Sequence, residues 1–199
     1  MNGAKVSQSS GSRFAESSYK ERVMNVLLTF TGFHDPYFIG LVDREEQPGP
    51  ILSLLSTRPF DHLFLFDTPS TTKITQSTKD VISKLHRQTA VHVLEINLDD
   101  PTSYQDILKG LRTHLRDIIE SFPAAKFFVA VASGTPQMHA CWLLLTASGE
   151  IPARILHVRP PKFVTKDCPM VREIDLSSRE FPAVRFQPES LPVEENGID

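Results

Sequence analysis

The amino-acid sequence predicts a three-layer α/β sandwich built on a doubly wound, mainly parallel sheet of about six strands. Three features carry this expectation. Short apolar runs alternate with segments of helical periodicity along most of the chain. The runs are continuous and do not alternate apolar with polar, as strands do when a parallel sheet is covered on both faces. The loops that follow them are rich in Gly, Pro, Ser and Thr.

Met24 to Phe30 (MNVLLTF) reads as a buried strand that stops at Thr31-Gly32 and Asp35-Pro36. After the breaker Pro48-Gly49-Pro50, Leu52 to Leu55 opens a short helix with Ile51, Leu54 and Leu55 on one face. His62 to Phe66 (HLFLF) is the next strand; a polar loop from Asp67 to Thr72 follows, then a helical pattern from Gln76 to Arg87. Val91 to Ile96 is the third strand. Asp99-Asp100-Pro101 is expected to cap a helix from Ser103 to Phe122, where Ile107, Leu111, Leu115, Ile118 and Ile119 recur at helical spacing. Phe127 to Ala132 makes the fourth strand, and after Ser133-Gly134-Thr135-Pro136 an apolar helix from Gln137 to Thr146 must be buried on most sides. Ala153 to Val158 and Val171 to Leu176 supply the fifth and sixth strands.

The chain has 199 residues, 40% hydrophobic and 23% charged, which suits one globular domain with tails. Residues 1–22 read as a disordered tail, 23–185 as the domain, and 186–199 as a linker or tail. Apolar runs such as Phe127 to Ala132 and Cys141 to Ala147 are far below the roughly 18 to 20 residues a membrane span needs. No secretory signal is evident, and Cys141 and Cys168 form neither a disulfide framework nor a zinc motif, so a reduced, cytoplasmic setting without membrane is expected. A net charge of −3 argues against long duplex DNA as partner, because that normally needs several Lys or Arg on phosphates.

In a doubly wound sheet the ligand lies beyond the carboxyl ends of the strands, so three loops matter. They are Thr31-Gly32-Phe33-His34-Asp35, Thr68-Pro69-Ser70-Thr71-Thr72 and Ser133-Gly134-Thr135-Pro136-Gln137. The third is the sharpest: Gly134 permits positive φ or close approach, Pro136 suits a first helical turn, and amides at a helix N-terminus make a phosphate seat. Against this stands plain helix capping by Ser133 and Thr135. The Thr68 loop is less specific, since Ser/Thr runs are common in turns. His34 and Asp35 suggest an acid/base pair, although adjacent side chains rarely point the same way. His139, beside Met138 and Trp142, reads as a packing or dimer-contact residue. GxGxxG, GxxxxGK[ST] and GxSxG motifs are absent. No metal-ligand set occurs in the loops, so neither metal nor cofactor is expected.

Phe128 to Leu145 (FVAVASGTPQMHACWLLL) closely resembles the fourth strand, turn and helix of CARF domains, the CRISPR-associated Rossmann-fold sensors. Leu27 to Tyr37 (LLTFTGFHDPY) and Ala153 to Pro161 (ARILHVRPP) resemble the CARF-type N-terminal domains of bacterial enhancer-dependent AAA+ transcriptional regulators. The resemblance implies a Rossmann-like three-layer sandwich acting in type III CRISPR antiviral defence or in transcriptional regulation. It also implies a homodimer with a cyclic tetra- or hexa-adenylate over its two-fold axis. Residues Thr31 to Asp35 and Ser133 to Gln137 would line that pocket, and Thr68 to Thr71 would do so less securely. One alternative is a metal-independent ring nuclease in which the hydroxyls of Thr31 and Ser133 act on the phosphate. Another is a sensor of RNA ends in an RNA-repair regulator. Ending at Asp199, the chain is expected to be an isolated sensor domain or a stand-alone protein, its signal passing to an effector domain or protein after the C-terminus.

Overall fold

The computed structural model describes residues 22–40, 44–160, 163–176, 178–179 and 181. In chain order the elements are β1 (Asn25–Phe30), β2 (Tyr37–Ile39), β3 (Glu46–Pro48), α1 (Pro50–Thr57), β4 (His62–Asp67) and α2 (Thr72–Leu85). Then come β5 (Ala90–Glu95), α3 (Tyr104–Ser121), β6 (Lys126–Ala130), α4 (Pro136–Ala147), β7 (Ala153–Val158) and β8 (Val171–Ile174). Of the expected tails, all but Arg22 lie outside the described residues. Among the described residues no helix is long and apolar enough to cross a membrane.

Six strands form one sheet in the order β5-β4-β1-β6-β7-β8, parallel except for β8, which runs antiparallel to β7. The sandwich and its mainly parallel six-stranded sheet are thus as expected. Side chains alternate across β1: Val26, Leu28 and Phe30 join the core under α3 and α4, while Leu27 joins the core under α1 and α2. Each face therefore has its own apolar layer. Trp142, fully buried in α4, wedges between Phe30 and Phe66 with ring centroids 5.8 and 5.3 Å away. Rings of this size dominate core energetics.

Four local expectations need correction. The ribbon of β2 and β3, antiparallel with Tyr37 opposite Pro48, lies where only a loop was foreseen; three-residue strands leave no readable period. Helix α2 starts at Thr72 and not at Gln76. Its inward face carries Thr75 and Thr78 beside Ile82, and their hydroxyls bond to the carbonyls of Thr71 and Ile74, so burial is not announced by apolar residues. The cap of α3 is Ser103, whose Oγ accepts from the Asp106 amide at 3.4 Å. Asp100 instead closes a turn on the Thr102 amide and hydroxyl. Finally, β5 is a sheet edge with exposed Ala90, Val93 and Glu95, so it is not covered on both faces.

Candidate functional site

Strand order reverses between β1 and β6, and the loops leaving those two strands meet there. A Cβ placed on Gly32 would stand 2.8 Å from the Gly134 amide nitrogen, so only glycine lets the two loops touch. Gly134 is exposed and has φ +98°, a conformation that L side chains rarely adopt. The crossing of the two loops at a switch point is where this class of sheet places its ligands.

Asp35 holds the crossing together. Its carboxylate is 4% exposed and accepts from three segments: the Gly32 amide at 3.0 Å, the Ile51 amide at the start of α1 at 3.2 Å, and the Ser133 hydroxyl at 2.6 Å. Burial pushes this carboxyl above its ordinary value; the Ser133 hydroxyl, the two amides and the nearby His34 pull it back. His34 itself is exposed and packs its ring edge-on against Phe38. Its side chain turns outward while that of Asp35 turns inward, so the expected acid/base pair is not formed.

Ser133 is tied at both ends. Its hydroxyl donates to Asp35, and its carbonyl accepts from His139 Nε2 at 3.0 Å. Because a carbonyl only accepts, the hydrogen of His139 is on Nε2. Burial lowers the His139 pKa, the Ser133 carbonyl raises it, and His157 lowers it further, for a net fall below the ordinary histidine value. Thr135 caps α4, accepting from the Met138 amide at 3.2 Å and donating to the Pro101 carbonyl at 3.1 Å. Pro136 is exposed at the first helical position, with Gln137 half-buried behind it.

What remains uncommitted is backbone. The amides of Phe33, His34, Ser133 and Gly134 carry no hydrogen bond among the described residues. Thr31, 3% exposed, has its hydroxyl buried with no partner. Phe33 is 73% exposed at the same edge. Free amides at the positive end of the twelve-residue helix α4 form a surface that favours an anion.

The loop after β4 is built differently. Asp67, 3% exposed, accepts from the hydroxyls of Thr71 and Thr75 at 2.8 and 2.7 Å. The Thr68 amide bonds to Thr71 Oγ1, and Thr68 Oγ1 lies 3.1 Å from Ser70 Oγ. Pro69 and Ser70 are exposed. The hydroxyls of this loop face one another and a buried carboxylate, so they serve the fold.

Sequence reasoning missed the roles of Asp67, Thr75 and His139, and of the Ile51 amide at the start of α1. The available signal was Asp directly after a buried strand at position 67, since a buried carboxylate must recruit donors. Met138 and Trp142, expected near a dimer contact, are 3% and 0% exposed and belong to the core. The outward side of α4 is instead Pro136, Leu144 and Ala147, with Leu144 44% exposed. Among the described residues no group of three or more His, Cys, Asp or Glu could hold a metal ion.

Comparison with known proteins gives one family and several structures of similar fold. The family described as RtcR, regulator of RNA terminal phosphate cyclase, matches residues 40–194. The transcriptional regulatory protein RtcR of Escherichia coli K12 is 24% identical over 135 residues, which are 65% of this chain and 25% of that protein. This chain therefore spans about a quarter of the length of its curated relative. The structure of Enterococcus italicus Csm6 bound to cyclic hexa-2'-fluoro-hexa-dAMP matches with a TM-score of 0.65 and 17% identity, covering 77% of this chain and 43% of that one. Protein VC1899 of Vibrio cholerae matches with a TM-score of 0.51 and 14% identity, over 69% and 31% of the two chains. The fold is of the CARF type that the sequence resembles.

Proposed function

The chain belongs to the RtcR family, and on that premise we propose that it is a sensor domain whose ligand is a cyclic oligoadenylate, held at the β1/β6 edge of a homodimer. The observation that carries this reading is the turn at Ser133–Gly134, where a positive-φ glycine leaves amides free at the start of α4. Amides aimed at a phosphate need no excess of Lys or Arg, which suits a chain of net charge −3. The Csm6 structure that shares this fold is bound to a cyclic hexanucleotide analogue, which makes the hexa-adenylate the first ligand to try, followed by the tetra-adenylate.

A ring of identical units suits a two-fold axis, across which two copies of the turn face one another. The exposed Leu144 on α4 gives such a pair an apolar contact. Signal passes on only if the ligand prefers one dimer arrangement over another. Binding is favoured over cleavage because the Ser133 hydroxyl is spent on Asp35; a ring nuclease would have to rely on the unpartnered Thr31 hydroxyl. A second reading follows from the family, a regulator of RNA terminal phosphate cyclase: a regulator of an enzyme named for RNA ends would sense such ends, and the same seat would take the phosphate of one.

Titration calorimetry against cyclic tetra-adenylate, cyclic hexa-adenylate and a short RNA with a terminal phosphate separates these readings. Expected is saturable binding of one cyclic ligand at one ring per dimer, the ring recovered intact by chromatography. Binding of the RNA end alone would move the function to the second reading, and binding of none would refute both.

A further inference from the structure

His139 is absorbed neither by the core nor by the anion seat, yet it touches one of the peptides from which the seat is built. Its Nε2–H donates to the carbonyl of Ser133 at 3.0 Å. That carbonyl belongs to the same peptide unit as the Gly134 amide. In a planar trans peptide the C=O and N–H point in opposite directions. Drawing the oxygen towards His139 therefore aims the Gly134 N–H away from His139, on the side where the loop after β1 crosses the turn. The Asp35 bond to the Ser133 hydroxyl holds the same residue from its other end.

We propose that His139 is the positioning residue of this seat, and that it takes up a proton when a phosphate-bearing ligand settles on the Ser133–Gly134 amides, so that binding strengthens as pH falls. This rests on the sensor reading given above. Two effects drive the coupling. A protonated imidazole makes a stronger, charge-assisted bond to the Ser133 carbonyl, which polarises the peptide and sharpens its N–H as a donor. In return, a ligand anion beside that peptide favours the charged ring.

The groups around the imidazole support the direction. His157 on β7 opposes protonation in the free protein, and so does burial, so the ring is neutral near pH 7 before ligand arrives. Asp35 faces Ser133 from the loop after β1, with His34 beside it. Helix α1, which packs against Asp35, has no acidic or basic side chain from Pro50 to Thr57. The ligand's charge is thus the new influence on His139. The sign follows: the bound form holds the proton more tightly than the free form, so affinity rises as pH falls towards the pKa of the free ring, which lies below the ordinary histidine value.

The test is calorimetry with cyclic hexa-adenylate and cyclic tetra-adenylate at about pH 7.5 and about pH 5.5, on wild type, His139→Gln and His139→Ala. Expected for the wild type is binding about fivefold tighter at the lower pH, with proton uptake visible in buffers of different ionisation heat. His139→Gln keeps an N–H donor but cannot titrate, so its ratio between the two pH values falls below about twofold. His139→Ala frees the peptide and weakens binding about tenfold or more at both pH values. A flat wild-type profile, or an unchanged slope in His139→Gln, overturns the proposal. A ligand-free readout separates its failure from that of the sensor reading. In amide NMR the Gly134 resonance is expected to titrate with the inflection of the His139 ring, and to lose that inflection in His139→Gln. A Gly134 resonance blind to His139 would overturn the coupling even in a protein that binds its ring well, whereas a coupled Gly134 in a protein that binds neither ring would refute the sensor reading alone.

Discussion

Two buried aspartates stand at the carboxyl ends of neighbouring strands and do opposite things. Asp67, ending β4, takes hydroxyls from Thr71 and Thr75 within its own loop and helix. Asp35, after β1, takes donors from its own loop, from α1 and from the loop after β6, up to 98 positions away. The first carboxylate closes a local knot within one loop and the helix that follows it. The second joins distant segments through one side-chain hydroxyl and two amides, and leaves the neighbouring amides free. Polar strand ends alone do not mark a site; what marks it is which loops the fold ties together at the point where the strand order reverses.

The largest effect should come from removing each carboxylate. Asp35→Ala strands three buried donors that make no second hydrogen bond among the described residues and is expected to cost about 3–4 kcal/mol in urea unfolding. In Asp67→Ala the Thr71 and Thr75 hydroxyls fall back on the carbonyls of Thr68 and Thr71, each 3.1 Å away, and the cost should be about 1–2 kcal/mol. The reverse ranking would remove the distinction between joint and knot.

A smaller effect sharpens the same contrast through two glycines. Gly134 and Gly149 both have positive φ, +98° and +80°. A Cβ on Gly149 meets nothing within 4 Å, while one on Gly134 stands 2.9 Å from Met138 Sδ and 3.1 Å from Phe30 Cβ. Gly149→Ala should cost about 1 kcal/mol, the left-handed penalty alone, and leave ligand affinity as it was. Gly134→Ala should cost about 2 kcal/mol and weaken ligand binding more than tenfold, because its methyl also presses on Met138 and Phe30 and must shift the turn that holds the amides. Equal effects of the two variants on affinity would show that the ligand sits elsewhere.

Much of the sandwich was legible in the sequence because its central strands are unbroken apolar runs. HLFLF and FFVAVA leave little choice of structure, and the 3.6 period of Ile107, Leu111, Leu115 and Ile118 is plain. The start of α2 was hidden because its buried face is made of Thr75 and Thr78, which count as polar although they are 1% and 0% exposed. The site was half legible. Ser133-Gly134-Thr135-Pro136 announces a turn with free amides before a helix, and Thr31-Gly32 announces its neighbour. What no pattern discloses is who satisfies whom. The bond from Ser133 to Asp35 joins residues on different strands, and the tie from His139 back to Ser133 depends on the turn's geometry. Both come from the fold and not from local spacing.

The central claim is that the ligand is held where β1 and β6 diverge, and amide NMR of the labelled protein titrated with cyclic hexa-adenylate, and in parallel with cyclic tetra-adenylate, tests it most directly. Saturable shifts at Phe33, His34, Ser133 and Gly134, with the amides of Ser70, Thr71 and Thr72 unmoved, are predicted for the ring that binds. Shifts centred on Ser70 to Thr72, with Ser133 and Gly134 unmoved, would contradict it.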